Sequence, residues 1–240
     1  KGNPVAVMLD ADGLSDEEMQ AIARWTNLSE TTFLLPATDA AADYRLRIFT
    51  PRTELPFAGH PTLGSAHALL EANRATPRDG VLVQQCGQGL VRIAVEGEGD
   101  ARVLVLDLPD SRVQPLEAAD VEELEAILGA PVVRSAAPAI VDVGAIWVVA
   151  QMASADALLA LRPDLARSAA FERRLGVTGL SLFGAHDGGE ATIEVRSFAP
   201  SCGVGEDPVC GSGNGGIAVF RRLRGMLATG GDSYVATQGR

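Results

Sequence analysis

Hydrophobic and polar residues follow two periods along this chain: short runs that alternate or stay apolar, and a few stripes spaced three and four apart. Val5 to Leu9 reads as a strand, closed by the turn Asp10-Ala-Asp-Gly13. Ser15 and Glu18 then form the capping box of a helix whose apolar stripe is Met19, Ile22 and Ala23. A polar lead-in from Asn27 to Thr32 runs into a strand at Phe33–Leu35, and Tyr44 to Phe49 alternates as a half-buried strand does. Pro61–Ala72 is predicted to be a helix with proline in its first turn, where a missing N–H costs nothing. Strands are predicted at Val81–Gln85, Leu90–Val95 and Val103–Leu108, and Pro109–Pro115 is the expected boundary between two lobes, residues 1–110 and 111–240. Beyond it come a helix at Val121–Leu128, strands near Ile140–Val143 and Ile146–Ala150, and a helix at Ala155–Leu161. Leu180–Phe183 and Ala191–Phe198 flank a hairpin signal at His186-Asp-Gly-Gly189, and Gly213–Leu223 is the last clear helix.

Part of this pattern occurs twice. Arg47-Ile-Phe-Thr-Pro51 matches Arg196-Ser-Phe-Ala-Pro200, Pro56-Phe-Ala-Gly-His60 matches Pro208-Val-Cys-Gly-Ser212, and Gly64 matches Gly216. Each copy is a strand, a proline turn and a glycine pair entering an apolar helix. The order of the matches favours duplication over chance. It predicts two like lobes whose helix N-termini face one cleft.

Composition then narrows the classes. At 47% hydrophobic and 21% charged, the chain of 240 residues has material for one or two ordinary cores. Its net charge of −11 repels phosphate backbones and anionic membrane surfaces, which argues against nucleic acid or lipid partners. Arg221, Arg222 and Arg224 are the nearest thing to a basic patch, but at a helix end they complement the dipole. Three cysteines without a paired framework, Cys86, Cys202 and Cys210, fit reduced thiols in the cytoplasm. No apolar run approaches the ~20 residues of a membrane span, and the three histidines form no metal-ligand pattern. Lys1 to Val7 looks like a strand entered part-way, so the native chain is expected to begin earlier.

A helix N-terminus offers unpaired amides and about half a positive charge. Beside a glycine turn it can bind a carboxylate and stabilise a developing oxyanion. Gly59, Gly64, Gly211, Gly213 and Gly215 are placed for that, or are simply turn and packing glycines. Proton carriers near them are Glu30, His60, Asp207 and Cys210. Glu30 lies in an apolar neighbourhood before a strand, where partial burial would suit it to acid/base work, unless it is an exposed loop carboxylate. His60 follows Gly59 at a helix entrance, a place that favours a neutral imidazole. Asp207 could be a reacting group or a cap, and His67 reads as filler.

Three segments, Asn27 to Phe33, Glu54 to Gly64 and Gly205 to Gly213, resemble the signatures of the PhzF-like phenazine-biosynthesis family, in the expected order along nearly the whole chain. The resemblance implies an α+β fold like that of diaminopimelate epimerase: two pseudo-symmetric lobes of mostly antiparallel strands, each wrapped around a central helix. It implies a homodimeric isomerase that needs no cofactor or metal and acts on a small carboxylate. By the same resemblance Glu30 is the acid/base, His60 and Asp207 complete the catalytic pocket, and Ser29, Gly59, Gly211, Ser212 and Gly213 hold the substrate. The family has a further strand before Lys1 and more after Arg240, and the last residues here are a candidate return to the first lobe. Related racemases use two opposed cysteines, but here Cys210 faces Ala58 in the alignment of the repeat. That leaves a one-base reaction through Glu30, with a Cys210-dependent epimerase or a non-catalytic metabolite binder as rivals.

Overall fold

The computed structural model describes residues 2–107, 110–227 and 233–238. They form two compact units that divide after Asp107. In the first unit β1 (Val5–Met8), α1 (Asp16–Thr26), β2 (Glu30–Leu35), β3 (Tyr44–Phe49), β4 (Glu54–Leu55), α2 (Gly59–Glu71), β5 (Val81–Cys86), β6 (Gly89–Glu96) and β7 (Val103–Leu106) follow in order. The sheet runs β1-β2-β3-β5-β6-β7, with β4 beside β3. β1–β2 and β3–β5 are parallel and the remaining pairs antiparallel.

Alternation along the strands assigns the two faces. Leu34, Leu46, Ile48 and Leu82 pack with Ala66, Leu69 and Leu70 of α2, making that helix the centre of the core. Phe33 and Phe49 point the other way, edge to face at 5.4 Å, and close against Met19 and Ala23 of α1. The Ser15–Glu18 capping box that opens α1 is formed as its sequence predicts.

The second unit contains β8 (Arg112–Pro115), α3 (Ala118–Leu128), β9 (Ala139–Asp142), β10 (Ile146–Gln151), α4 (Ala155–Ala160), α5 (Leu165–Leu175), β11 (Gly179–Ala185), β12 (Ile193–Ala199), β13 (Val204–Asp207), α6 (Gly211–Leu223) and β14 (Ala236–Gln238). Its sheet runs β13-β12-β11-β10-β9-β8, with β14 also on β12. α6 lies on β9, β10 and β11, burying Ile217 and Phe220 among Val141, Val149 and Phe183.

The duplication read from sequence is visible in the pairing. β1 is parallel to β2, β2 antiparallel to β3, and β3 carries β4 and parallel β5 at opposite ends. β10, β11, β12, β13 and β14 repeat this arrangement. Arg47 makes a two-pronged ion pair with Glu54 and lies 5.1 Å over the Phe49 ring; Arg196 does the same with Glu206 and lies 4.9 Å over Phe198. Arg47 is opposite Phe33 and Arg196 opposite Leu182, so the position of Glu30 in the first copy is Gly179 in the second. A Cβ on Gly179 would lie 2.1 Å from the Phe198 carbonyl oxygen and 2.9 Å from the Trp147 ring.

Two expectations change. The segment read as a boundary, Pro109–Pro115, is in part strand: Arg112–Pro115 pairs with β9, because Val113 faces the second core. Leu108 and Pro109 lie outside the described residues. At the other end, β14 pairs with β12, so the last described strand stays with the second unit instead of returning to the first. The α5 helix is a further addition, capped by Asp164 and stopped by Gly176 in the left-handed region.

Candidate active site

In the first unit α1 ends at Asn27, whose φ of 52° turns the chain sharply. Leu28 and Ser29 then lead into Glu30, the first residue of β2, whose side chain is 14% exposed. His60, the second residue of α2, is 20% exposed, and its Nε2 lies 3.5 Å from Glu30 Oε2. Burial lowers the pKa of His60, so its imidazole is neutral at pH 7. The loop-carboxylate alternative for Glu30 does not describe this position.

Two buried polar contacts hold α2 over the sheet and so fix His60 against Glu30. Ser65 Oγ and Thr32 Oγ1, two residues along β2 from Glu30, are 2.8 Å apart. Gln84 donates to Thr62 Oγ1 at 3.0 Å and accepts from the Tyr44 hydroxyl at 3.2 Å. At the helix entrance Ala58 is the N-cap and has no side chain to accept from the first turn. The amides of Gly59 and His60 therefore have no helical acceptor, and Pro61 has no amide at all. A Cβ on Gly59 would meet only the Leu106 side chain, at 3.8 Å, whereas on Gly64 it would lie 2.6 Å from Val5 Cγ1. Gly64 is a packing glycine; Gly59 is not required by packing.

The second entrance is built differently. β13 ends at Asp207, whose Oδ1 accepts from the Val209 amide at 3.1 Å. Cys210 is the N-cap of α6, and its Sγ accepts from the Gly213 amide at 3.3 Å. The thiol is 3% exposed and its pKa is pushed up to about 12, first by burial and then by the Asp207 charge. Ser212 Oγ accepts from the Trp147 indole N–H at 3.1 Å. Gly213, expected to hold substrate, has its amide on Cys210, and a Cβ there would lie 2.7 Å from Ser181 Oγ and 2.8 Å from Ser197 Oγ. Close packing alone accounts for this glycine. Gly211 is exposed at the helix start.

The structure thus brings Ser29, Glu30, Gly59 and His60 together in one unit, and Asp207, Cys210, Gly211, Ser212 and Gly213 in the other. Sequence reasoning missed Trp147 and Gln238. Neither sits in a motif, and each reaches the α6 entrance from a distant strand. No cluster of metal-ligating side chains occurs among the described residues, and no helix among them is long and apolar enough to cross a membrane.

The sequence profile for "phenazine biosynthesis-like protein" matches residues 1–240. The chain belongs to that family. Over 226 residues it is 38% identical to a trans-2,3-dihydro-3-hydroxyanthranilate isomerase of Pseudomonas aeruginosa, covering 91% of this chain and 74% of that protein. It is 43% identical over 224 residues to antisense-enhancing sequence 1 of Schizosaccharomyces pombe, covering 92% of this chain and 75% of the relative. Among solved structures, a phenazine biosynthesis protein of the PhzF family from Bacillus anthracis superposes with a TM-score of 0.82 at 24% identity, covering 92% of this chain and 74% of that one. The family's fold is the α+β arrangement described above, and the chain is an isomerase of this family.

Proposed function

We propose that this family member moves a proton within a small carboxylate-bearing substrate, with Glu30 as the group that takes the proton and returns it. The observation that carries the reading is the 3.5 Å approach of Glu30 Oε2 to a neutral His60 at a helix entrance with no side-chain cap. A charged imidazole there would weaken Glu30 as a base; burial keeps it neutral. The Gly59 and His60 amides and the α2 dipole suit an oxygen that gains negative charge as the carbon proton leaves. Acid/base assistance of this kind contributes about 10²–10⁴-fold, so that electrostatic setting has to supply much of the rest. The proton leaves one atom of the substrate and enters another, so the reaction balances without a redox or group-transfer partner. Asp207 is the second unit's candidate for the same reaction, and Ser29, Gly59, Gly211 and Ser212 are candidates for holding substrate.

The substrate named for the Pseudomonas relative is a carboxylate on a partly reduced ring. We assign the same class to this chain, acting as a homodimer, whose mass in solution light scattering would report. The test is incubation in D2O with trans-2,3-dihydro-3-hydroxyanthranilate and related cyclic carboxylates, reading single-deuterium incorporation by mass spectrometry. Glu30→Gln is expected to fold, bind ligand and lose about 100-fold or more in turnover. Turnover within about threefold of wild type, with binding intact, overturns the reading. The Cys210 rival is disfavoured by a buried thiol that resists ionisation.

A further inference from the structure

Gln238 lies on β14, after all three segments that carry the family resemblance, and its side chain closes three hydrogen bonds on the turn between β13 and α6. Its Oε1 accepts from the Cys210 amide at 2.9 Å and from Asn214 Nδ2 at 2.9 Å. Its Nε2 donates to the Asp207 carbonyl oxygen at 2.9 Å. The two ends of the amide cannot be exchanged, because a backbone N–H only donates and a carbonyl only accepts. One side chain therefore spans the residue that ends β13, the N-cap of α6 and the first turn of that helix.

The strand that presents Gln238 is itself fastened. Ile193, Glu194 and Val195 of β12 pair with Ala236, Thr237 and Gln238. Thr237 Oγ1 donates to the buried Glu194 carboxylate at 2.6 Å, and His186 Nε2 lies 3.0 Å from the same hydroxyl. Gln238 thus reaches the turn from a strand secured by both backbone pairing and side chains. Asp207 Oδ1 accepts from the Val209 amide within the turn, and the bracket from Gln238 ties the Asp207 backbone to the helix entrance.

We infer that Gln238 is a positioning residue: it holds Asp207 and the α6 entrance as one rigid piece and acts on the reaction only through them. The inference rests on the role proposed above for Asp207. Three variants' worth of behaviour follows from the bond pattern. Gln238→Leu keeps the approximate size and removes all three bonds. Gln238→Glu keeps an oxygen to accept from Cys210 and Asn214 but loses the donor to Asp207. Asn214→Ala removes one partner and leaves Gln238 bound to the other two.

The experiment uses the full chain. Amide hydrogen exchange at Cys210 is followed by NMR, with Val195 and Ile217 as internal controls, alongside kcat and KM on trans-2,3-dihydro-3-hydroxyanthranilate. Gln238→Leu should speed Cys210 exchange by about tenfold, the equivalent of one hydrogen bond, with the controls unmoved. It should lower kcat by about tenfold while KM changes by less than about threefold. Gln238→Glu should restore slow exchange at Cys210 yet leave kcat reduced, a separation that general loss of stability would not produce. If Gln238→Leu fails to fold, Gln238→Ala, which also removes all three bonds, carries the same comparison against Gln238→Glu. Unchanged Cys210 exchange in Gln238→Leu, or kcat within about twofold of wild type, overturns the inference. If wild type leaves this compound untouched, it is the substrate class proposed above that fails, and the exchange result alone decides whether Gln238 holds the turn.

Discussion

Burial lowers the pKa of His60, and that ties stability to pH in one direction. The unfolded imidazole takes up a proton near its ordinary pKa of about 6.5, whereas the folded one does so only at lower pH. Between those two points the unfolded state binds more protons, so stability falls as pH drops through the unfolded value and is unaffected above it. His60→Gln lacks this contribution, so its melting temperature should decline less steeply than wild type between about pH 7 and 5; parallel curves would refute the assignment. Cys210 behaves in the opposite sense, as a thiol kept protonated throughout the usual range. Cys210→Ser, which retains an acceptor for the Gly213 amide, should keep activity within about threefold of wild type. A folded but inactive Cys210→Ser would move the chemistry to the thiol.

Among the elements, α2 is the one whose attachment is most open to test. Ser65→Ala leaves the Thr32 hydroxyl its second partner, the Ala6 carbonyl at 3.3 Å, so the loss should be about 1 kcal/mol. Gln84→Leu leaves both the buried Tyr44 hydroxyl and the buried Thr62 without their shared partner, and should cost about 1–3 kcal/mol more, read by urea denaturation. Both helices that follow a glycine turn were legible in the sequence, as were the hairpin and the capped α1, since each rests on local chemistry. The α5 helix was not, because its buried side is partly polar: Ser168 donates to Glu172 at 2.7 Å, and Glu172 accepts from the Ser201 amide at 2.9 Å. Those polar groups interrupt the apolar side that Ala169, Phe171 and Leu175 form. Glu30 and His60 were legible through their motifs, but not the polar contacts that hold them, because Thr32–Ser65 and Tyr44–Gln84 join residues far apart in the chain. Gln238 was hidden for the same reason.

For the whole molecule, a net charge of −11 sets a strong expectation about partners. At about 0.15 M salt the protein should not retard double-stranded RNA or DNA in a gel, because its 31 Asp and Glu outnumber its 20 Lys and Arg and repel the phosphates. A salt-sensitive shift would reveal a local basic surface that the net charge conceals. The two copies of the repeat also have different freedom to change. Glu30 has a carboxylate at a position where its counterpart is Gly179, hemmed in by the Phe198 backbone and the Trp147 ring. No single substitution at 179 can give the second copy a matching acid, since any side chain there meets backbone before it meets space. Descent from a common ancestral half has thus become a one-way street: the first copy could lose its carboxylate in one step, but the second could acquire one only by rebuilding a strand and a tryptophan together.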